Sequence, residues 1–505
     1  MKTAPGFLIV AVISALSFGS AAHTRPAALG QAIPAAPGEL AAELAGAWSG
    51  SVTHDGESVP LAIELEATAG GNLIVKVTLP VVHLVGTPMA KAVPQVEGSD
   101  IRIGIFAFQY DRTARTLTGI MPDALVPVYH LPFTLRRADK VDAPTRPEPT
   151  APLAVPVWTF DAGSPCWPGA TFANGLVLAG CDDGQVHAID ARTGRPRWTF
   201  RAGGPVRSRV TLAGADAYVQ ADDGFLYSLG VADGVERWHV RTVERPIERL
   251  PFDNPKSRFD RFGSDVTVAG DRLYVGTHDG RILALDAAHG TTVWEFRVGD
   301  SVIAAPAVRG RRVYAGSFDK HVYALDAATG RLVWKRDTQG AVVSTPALDG
   351  ARLIVGTRAY DLLGLDTDTG AIAWSRYIWF SWVESQANIQ NGVAYVGSSD
   401  AAAVFAFEAR DGRPVWKTDV RGWAWGQPAV TADRVYVGTS SQPGYLGGAH
   451  RGGAIALDRK TGRMLWRFVA EPGKMGPYGF PGSAAVGLGC VFFTGLDGKV
   501  YAFAR

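Results

Sequence analysis

Apolar positions along this chain gather into strand-length runs that return at a near-constant interval. The segments VHAIDARTGRPRW (186–198), LYSLGVADGVERW (226–238), ILALDAAHGTTVW (282–294), VYALDAATGRLVW (322–334), LLGLDTDTGAIAW (362–374), VFAFEARDGRPVW (404–416) and AIALDRKTGRMLW (454–466) align without gaps. Each carries a short apolar strand, an Asp or Glu in six of the seven, a Gly at the turn, and a Trp four residues after that Gly. Glycine tolerates the positive φ of a tight turn, and an Asp beside it can accept hydrogen bonds from the turn amides. The pattern is that of a hairpin. A second hairpin stands upstream of each, as in VIAAPAVRGRRVYAGS (302–317) and VVSTPALDGARLIVGT (342–357). Four strands per unit, at Trp-to-Trp intervals of 40, 40, 56, 40, 40, 42 and 50, predict the blades of a β-propeller. An eighth Trp, Trp158, precedes the first complete unit, and the chain ends on the apolar strand VYAFAR (500–505) with no turn or Trp after it. The two fragments complement each other. The spacing therefore predicts eight blades over 154–505, closed by strand exchange so that no sheet edge stays open.

Ahead of the repeat, alternating stretches such as LAIELEA (61–67), LIVKVTL (73–79), IRIGIFAF (101–108) and LPFTLRR (131–137) predict half-buried antiparallel strands. Residues 40–138 are expected to form a small antiparallel β domain, a barrel or a sheet, with Trp48 of Gly46-Ala47-Trp48-Ser49-Gly50 in its core and a lipocalin-like barrel as one form. Five prolines between Asp139 and Pro156 make 139–156 an extended, semi-rigid linker. Residues 23–39, rich in Ala and Pro, read as a tether. Lys2, the apolar run from Phe7 to Phe18 and the small residues Gly19 to Ala22 read as a signal peptide over 1–22, since the run is shorter than the ~20 residues that span a bilayer.

Composition narrows the function classes. With 50 Lys and Arg against 48 Asp and Glu, and only 19% charged residues among 59 Gly and 14 Trp, the chain lacks the basic excess of a nucleic-acid binder and the charge of a disordered one. There is no nucleophile elbow, no zinc-binding His pair and no phosphate loop. Asp366-Thr367-Asp368-Thr369-Gly370 has the look of a calcium loop, but it coincides with a repeat turn and lacks the closing acidic residue.

The repeated pattern A-x-D-x-x-T-G-x-x-x-W resembles the tryptophan-docking repeat of the pyrroloquinoline quinone (PQQ) type of β-propeller. That resemblance implies that Trp158, Trp198, Trp238, Trp294, Trp334, Trp374, Trp416 and Trp466 each pack on the neighbouring blade as structural residues. The family includes calcium- and quinone-dependent dehydrogenases and also inert members such as the propeller subunit of the outer-membrane β-barrel assembly machinery. Fold alone does not choose between these.

The blades serve as controls for one another. At the start of each innermost strand, two variable positions flank a uniformly small residue. The first position reads Trp167, Arg207, Gly263, Ile303, Val343, Glu384, Trp425 and Pro481, and the second Gly169, Arg209, Asp265, Ala305, Thr345, Gln386, Gln427 and Ser483. Diversity at these positions points to a surface the ring does not need for symmetry. Trp167, Arg207, Arg209, Asp265, Glu384, Gln386, Trp425 and Gln427 are the candidate ligand-binding residues, with blade 2 setting Arg207 and Arg209 across the axis from Glu384 and Gln386 on blade 6. The expected funnel has a basic side, an acidic side and aromatic walls. The long interruptions 241–261 and 440–453 should open on the same face. Cys166 and Cys181 also map to that face in blade 1, so a disulfide is expected between them, with Cys490 left as a buried thiol.

These residues lead to an expectation of an exported, monomeric, non-catalytic binding propeller with a protein or peptide partner at one face, no nucleic acid, no cofactor, no metal and no catalytic residue. The resemblance places it in the periplasm of a Gram-negative bacterium, and with Cys166 as the first cysteine it is not expected to be a lipoprotein. The alternative is a PQQ- and calcium-dependent dehydrogenase of alcohols or sugars. In that role Arg207 and Arg209 would meet the quinone carboxylates, Trp425 would stack on it, and Glu384 and Asp265 would serve the calcium. The adjacent cysteine pair found beside the quinone in many such enzymes is missing, as is a haem attachment site.

Overall fold

The computed structural model describes residues 37–122, 128–142, 146–251, 254, 257–448, 450–473 and 476–505. The expected signal peptide and most of the tether lie outside the described residues. The chain divides into two compact units, one of residues up to Glu148 with the short segments Asp253–Ser257 and Gly444–Ala449, the other of all the rest.

The first unit is a curled antiparallel sheet of nine strands, a half-barrel. In chain order these are β1 (Gly46–His54), β2 (Glu57–Ala67), β3 (Leu73–Leu79), β4 (Leu84–Ala92), β5 (Gln95–Glu97), β6 (Asp100–Ile103), β7 (Phe106–Asp111), β8 (Thr116–Ile120) and β9 (Pro132–Ala138). The sheet order is β4-β3-β2-β1-β9-β8-β7-β6-β5, so β1 and β9 meet at the centre and, among the described residues, β4 and β5 are the edges. Alternation sets one buried face, in which Leu61, Ile63 and Leu65 of β2 and Val75 and Val77 of β3 are buried. A short helix not foreseen in the sequence, α1 (Pro37–Leu44), covers it with Leu40 and Leu44. Trp48 is fully buried there, and its indole donates to the Leu44 carbonyl at 2.9 Å.

The second unit is an eight-bladed propeller. Blades 1 to 7 occupy 171–201, 211–241, 267–297, 307–337, 347–377, 388–419 and 429–469, each an antiparallel sheet of four consecutive strands, to which blade 7 adds the short strand Tyr478–Gly479. Blade 8 takes three strands from 485–504 and its outermost from Trp158–Asp161, paired through Trp158 with Ala502 and Phe160 with Val500. The end of the expected linker is not merely extended. Leu153 bridges Arg467 in parallel, and the Ala154 amide donates to the Arg467 carbonyl at 2.7 Å, edging blade 7.

Each blade buries its faces against its neighbours, so the apolar core is split into clusters between blades. Between blades 4 and 5, for example, Tyr314, Val322 and Ala324 meet Leu353, Val355 and Leu363. The repeat residues explain the geometry of the outer rim. Asp326 accepts hydrogen bonds from the Ala328 and Thr329 amides and the Thr329 hydroxyl, and Asp190, Asp366 and Asp458 make the same turn. The turn glycine takes positive φ, as at Gly370 (69°), where an added Cβ would also lie 2.6 Å from the Trp334 ring of the preceding blade. The Trp334 indole donates to the Thr367 carbonyl at 3.0 Å, and Trp158, Trp198, Trp294, Trp374 and Trp416 do likewise across their own blade boundaries.

Candidate functional site

The lead-in segments to the innermost strands converge on the propeller axis. The two variable positions precede these strands, as Arg207 and Arg209 precede Thr211–Ala213, rather than lying within them. Between them, serines hold three of the lead-ins against their own blades: the Ser208, Ser264 and Ser344 hydroxyls accept the amides of Gln220, Gly276 and Gly356 at 2.8 to 3.0 Å. The second positions stitch blade to blade. Asp265 accepts the Arg209 amide at 2.6 Å, Thr345 that of Ala305 at 3.1 Å, and Ser483 that of Gln427 at 2.9 Å.

These segments surround an axial cavity that opens to solvent. All eight second positions line it, with Arg207, Gly263, Ile303, Val343, Glu384 and Trp425 from the first. Trp167, nominated for the wall, lies behind it. It is 7% exposed, with the Arg207 guanidinium 5.5 Å over its ring and Phe262 edge-on at 6.1 Å. Cys166 and Cys181 are disulfide-bonded beside it, and Cys490 is half-buried rather than buried.

The charges do not divide into a basic and an acidic side. Arg207 pairs with Asp182 at 3.0 Å and Asp222 at 3.9 Å, Arg209 with Asp265 at 3.5 Å, and Glu384 with Arg358, whose Nε donates at 2.6 Å. Each charged group is matched by its neighbour because a buried ion without a partner is costly. Burial drives Arg207 down to about 10 against the pull of Asp182, and pushes Asp182 and Asp265 up against the pull of Arg207 and Arg209.

Sequence reading placed the long connection 241–261 at this face but not the contacts that draw it over the cavity as a strap. Within the long connection after blade 2, Arg249 grips both Asp222 oxygens at 2.7 Å and donates to the Asp260 carbonyl, and Arg258 pairs with Asp300 through two 3.0 Å bonds. From blade 5, Arg358 donates to the Arg258 and Phe259 carbonyls at 2.6 and 3.3 Å while its guanidinium lies 4.5 Å over the Trp382 ring. Phe259 and Phe262 therefore form part of the cavity lining. One signal was available: the turns at 182–184, 222–224 and 278–280 read DDG, DDG and HDG, whereas blade 5 has Arg358-Ala359-Tyr360.

The residues nominated for a quinone and calcium do not fit that pair of ligands. A quinone tricarboxylate needs guanidiniums to receive it, and Arg207, Arg209 and Arg358 are already bound to carboxylates. Asp265 and Glu384, the nominated calcium oxygens, are held by arginines. Among the described residues, no three His, Cys, Asp or Glu side chains converge as metal ligands.

Fold and cavity together define an eight-bladed propeller closed by strand exchange, with a polar axial cavity under a strap. The chain belongs to the family of the outer membrane protein assembly factor BamB, whose sequence profile matches residues 155–251, 248–379 and 381–505. BamB from Moraxella catarrhalis is 21% identical, with a TM-score of 0.53 over 70% of this chain and 98% of that one. A quinohemoprotein alcohol dehydrogenase from Comamonas testosteroni is 16% identical, with a TM-score of 0.52 over 70% of this chain and 76% of its own. The computationally designed protein Ika8 reaches 0.56 at 16% identity over 69% of this chain and 98% of its own. These likenesses carry the fold alone. No curated protein matches the chain significantly.

Proposed function

We propose that the chain is an exported, non-catalytic assembly or scaffolding factor that holds a protein partner at the face bearing its long loops. The observation that carries this reading is the pairing at the axis: the arginines and carboxylates a quinone and calcium would require are bound to one another and covered by the strap. Membership of the family described as an outer membrane protein assembly factor supports it. The exposed connection around Glu244 and Arg245 extends from a rigid ring, which is where binding loops commonly sit. No described helix is long and apolar enough to cross a membrane.

Photo-cross-linking in the native envelope tests this reading. A cross-linking residue in place of Glu244 should trap an outer-membrane assembly component, and one in place of Lys460, in a turn at the opposite end of a blade, should not. Adducts with that component only from Lys460, or from neither position, contradict the proposal.

A further inference from the structure

The polar groups of the axial cavity are in two different states. The charges are matched in place, Arg209 with Asp265 and Arg358 with Glu384. The amides are not. The Gln386 side chain makes no hydrogen bond among the described residues, only its backbone carbonyl accepting the Ser385 hydroxyl, and the Gln427 side chain uses only its Nε2, on the Ala387 carbonyl at 3.4 Å. The Thr345 hydroxyl accepts the Ala305 amide and keeps its own proton to donate. Beside these groups stands Trp425, its ring stacked on Trp423 at 4.8 Å and 12° and its Nε1 donating to the Ser399 hydroxyl at 3.3 Å. The indole is thus held in place as part of the wall.

Polar groups facing a cavity require water or a ligand to satisfy them. An ionic ligand would bring a charge that these matched pairs do not compensate. A neutral molecule that both donates and accepts hydrogen bonds around its rim, and offers an apolar face to an indole, suits every element of the lining. A pyranose has that chemistry. We infer that the axial cavity binds a neutral mono- or disaccharide, seated against Trp425 and hydrogen-bonded by Gln386, Gln427 and Thr345. The cavity opens under the same long connection that the partner-binding reading invokes, but sugar binding by the purified chain needs no partner, so either reading stands if the other fails.

Titration of the full-length protein with glucose, maltose and N,N′-diacetylchitobiose, read by tryptophan fluorescence and calorimetry, tests the inference. At least one sugar should bind one-to-one with a Kd of about 1 mM or tighter, and glucuronate and glucosamine should bind more weakly than it does. Gln386→Ala removes no hydrogen bond of the fold. It should weaken sugar binding about tenfold at an unchanged melting temperature, and Trp425→Phe, which keeps an aromatic wall, should weaken it less. The inference is overturned if none of the three neutral sugars binds at about 10 mM. It is equally overturned if Gln386→Ala leaves binding unchanged, if glucuronate binds more tightly, or if a neutral tetrapeptide of glycine, glutamine and serine binds in their place.

Discussion

Arg207 shows how a single residue changes meaning between sequence and structure. In the sequence it is an arginine at a position where other blades carry Gly, Ile or Val, which reads as a group offered to a ligand. In the fold its side chain is only 9% exposed and lies between two aspartates and the Trp167 ring. Arg207→Ala should therefore cost stability, about 1 to 3 kcal/mol, by leaving the half-buried Asp182 carboxylate without its partner. Denaturant unfolding at neutral pH measures it, and an unchanged midpoint would show that the charges are solvated rather than paired. His278 belongs to the same buried neighbourhood, 3.8 Å from Asp260. Burial and the nearby Arg249 hold it at about 4, below the ordinary 6.5. The folded chain then binds fewer protons than the unfolded chain between about pH 6.5 and 4, so stability must fall as the pH drops through that window. His278→Gln should flatten that part of a plot of unfolding midpoint against pH. A slope unchanged in the variant would assign the acid sensitivity elsewhere.

Among the elements, local chemistry was legible and distant pairing was not. The outer hairpins could be read because Asp, Thr, Gly and Trp act on one another, or on the next blade, at fixed spacings. The same logic separates two tryptophans that look identical in the repeat. Trp334 donates to the Thr367 carbonyl, whereas Trp466 faces blade 8, in which no turn joins the third strand to the outermost one because that strand comes from Trp158–Asp161. The Trp466 Nε1 is accordingly buried without a hydrogen-bond partner among the described residues. Trp334→Phe should cost about 1 kcal/mol for the lost hydrogen bond, and Trp466→Phe should be close to neutral, in thermal or denaturant melts. Equal losses would mean that ring packing alone sets the value of both. The strap left no comparable periodic trace. It is fastened by bonds such as Arg358 to the Arg258 carbonyl, a hundred residues away in sequence, and no spacing rule connects those positions. Helix α1 was missed for a related reason: one short helix in an Ala-rich segment takes its place from the apolar face it covers with Leu40 and Leu44.

For the whole molecule, the blade count and strand-exchange closure followed from counting tryptophans, and the cavity lining followed in part from comparing blades with one another. What the count could not supply was the state of the charges. Sequence placed Arg207 and Glu384 on facing blades, but ion pairing depends on which carboxylate lies a few ångströms away. Asp182, Asp222 and Arg358 all arrive on turns between middle strands rather than on the lead-ins. That difference turns an apparent anion receptor into a neutral, self-paired lining, and it underlies the reading of the chain as a binding propeller rather than a quinone enzyme. The most direct measurement is an absorbance titration of the purified protein with PQQ in the presence of calcium, followed by a dye-linked oxidation assay with alcohols and sugars. The self-paired axis predicts no stoichiometric quinone chromophore and no substrate-dependent dye reduction. One bound quinone per chain, with oxidation of an alcohol or sugar, would contradict it.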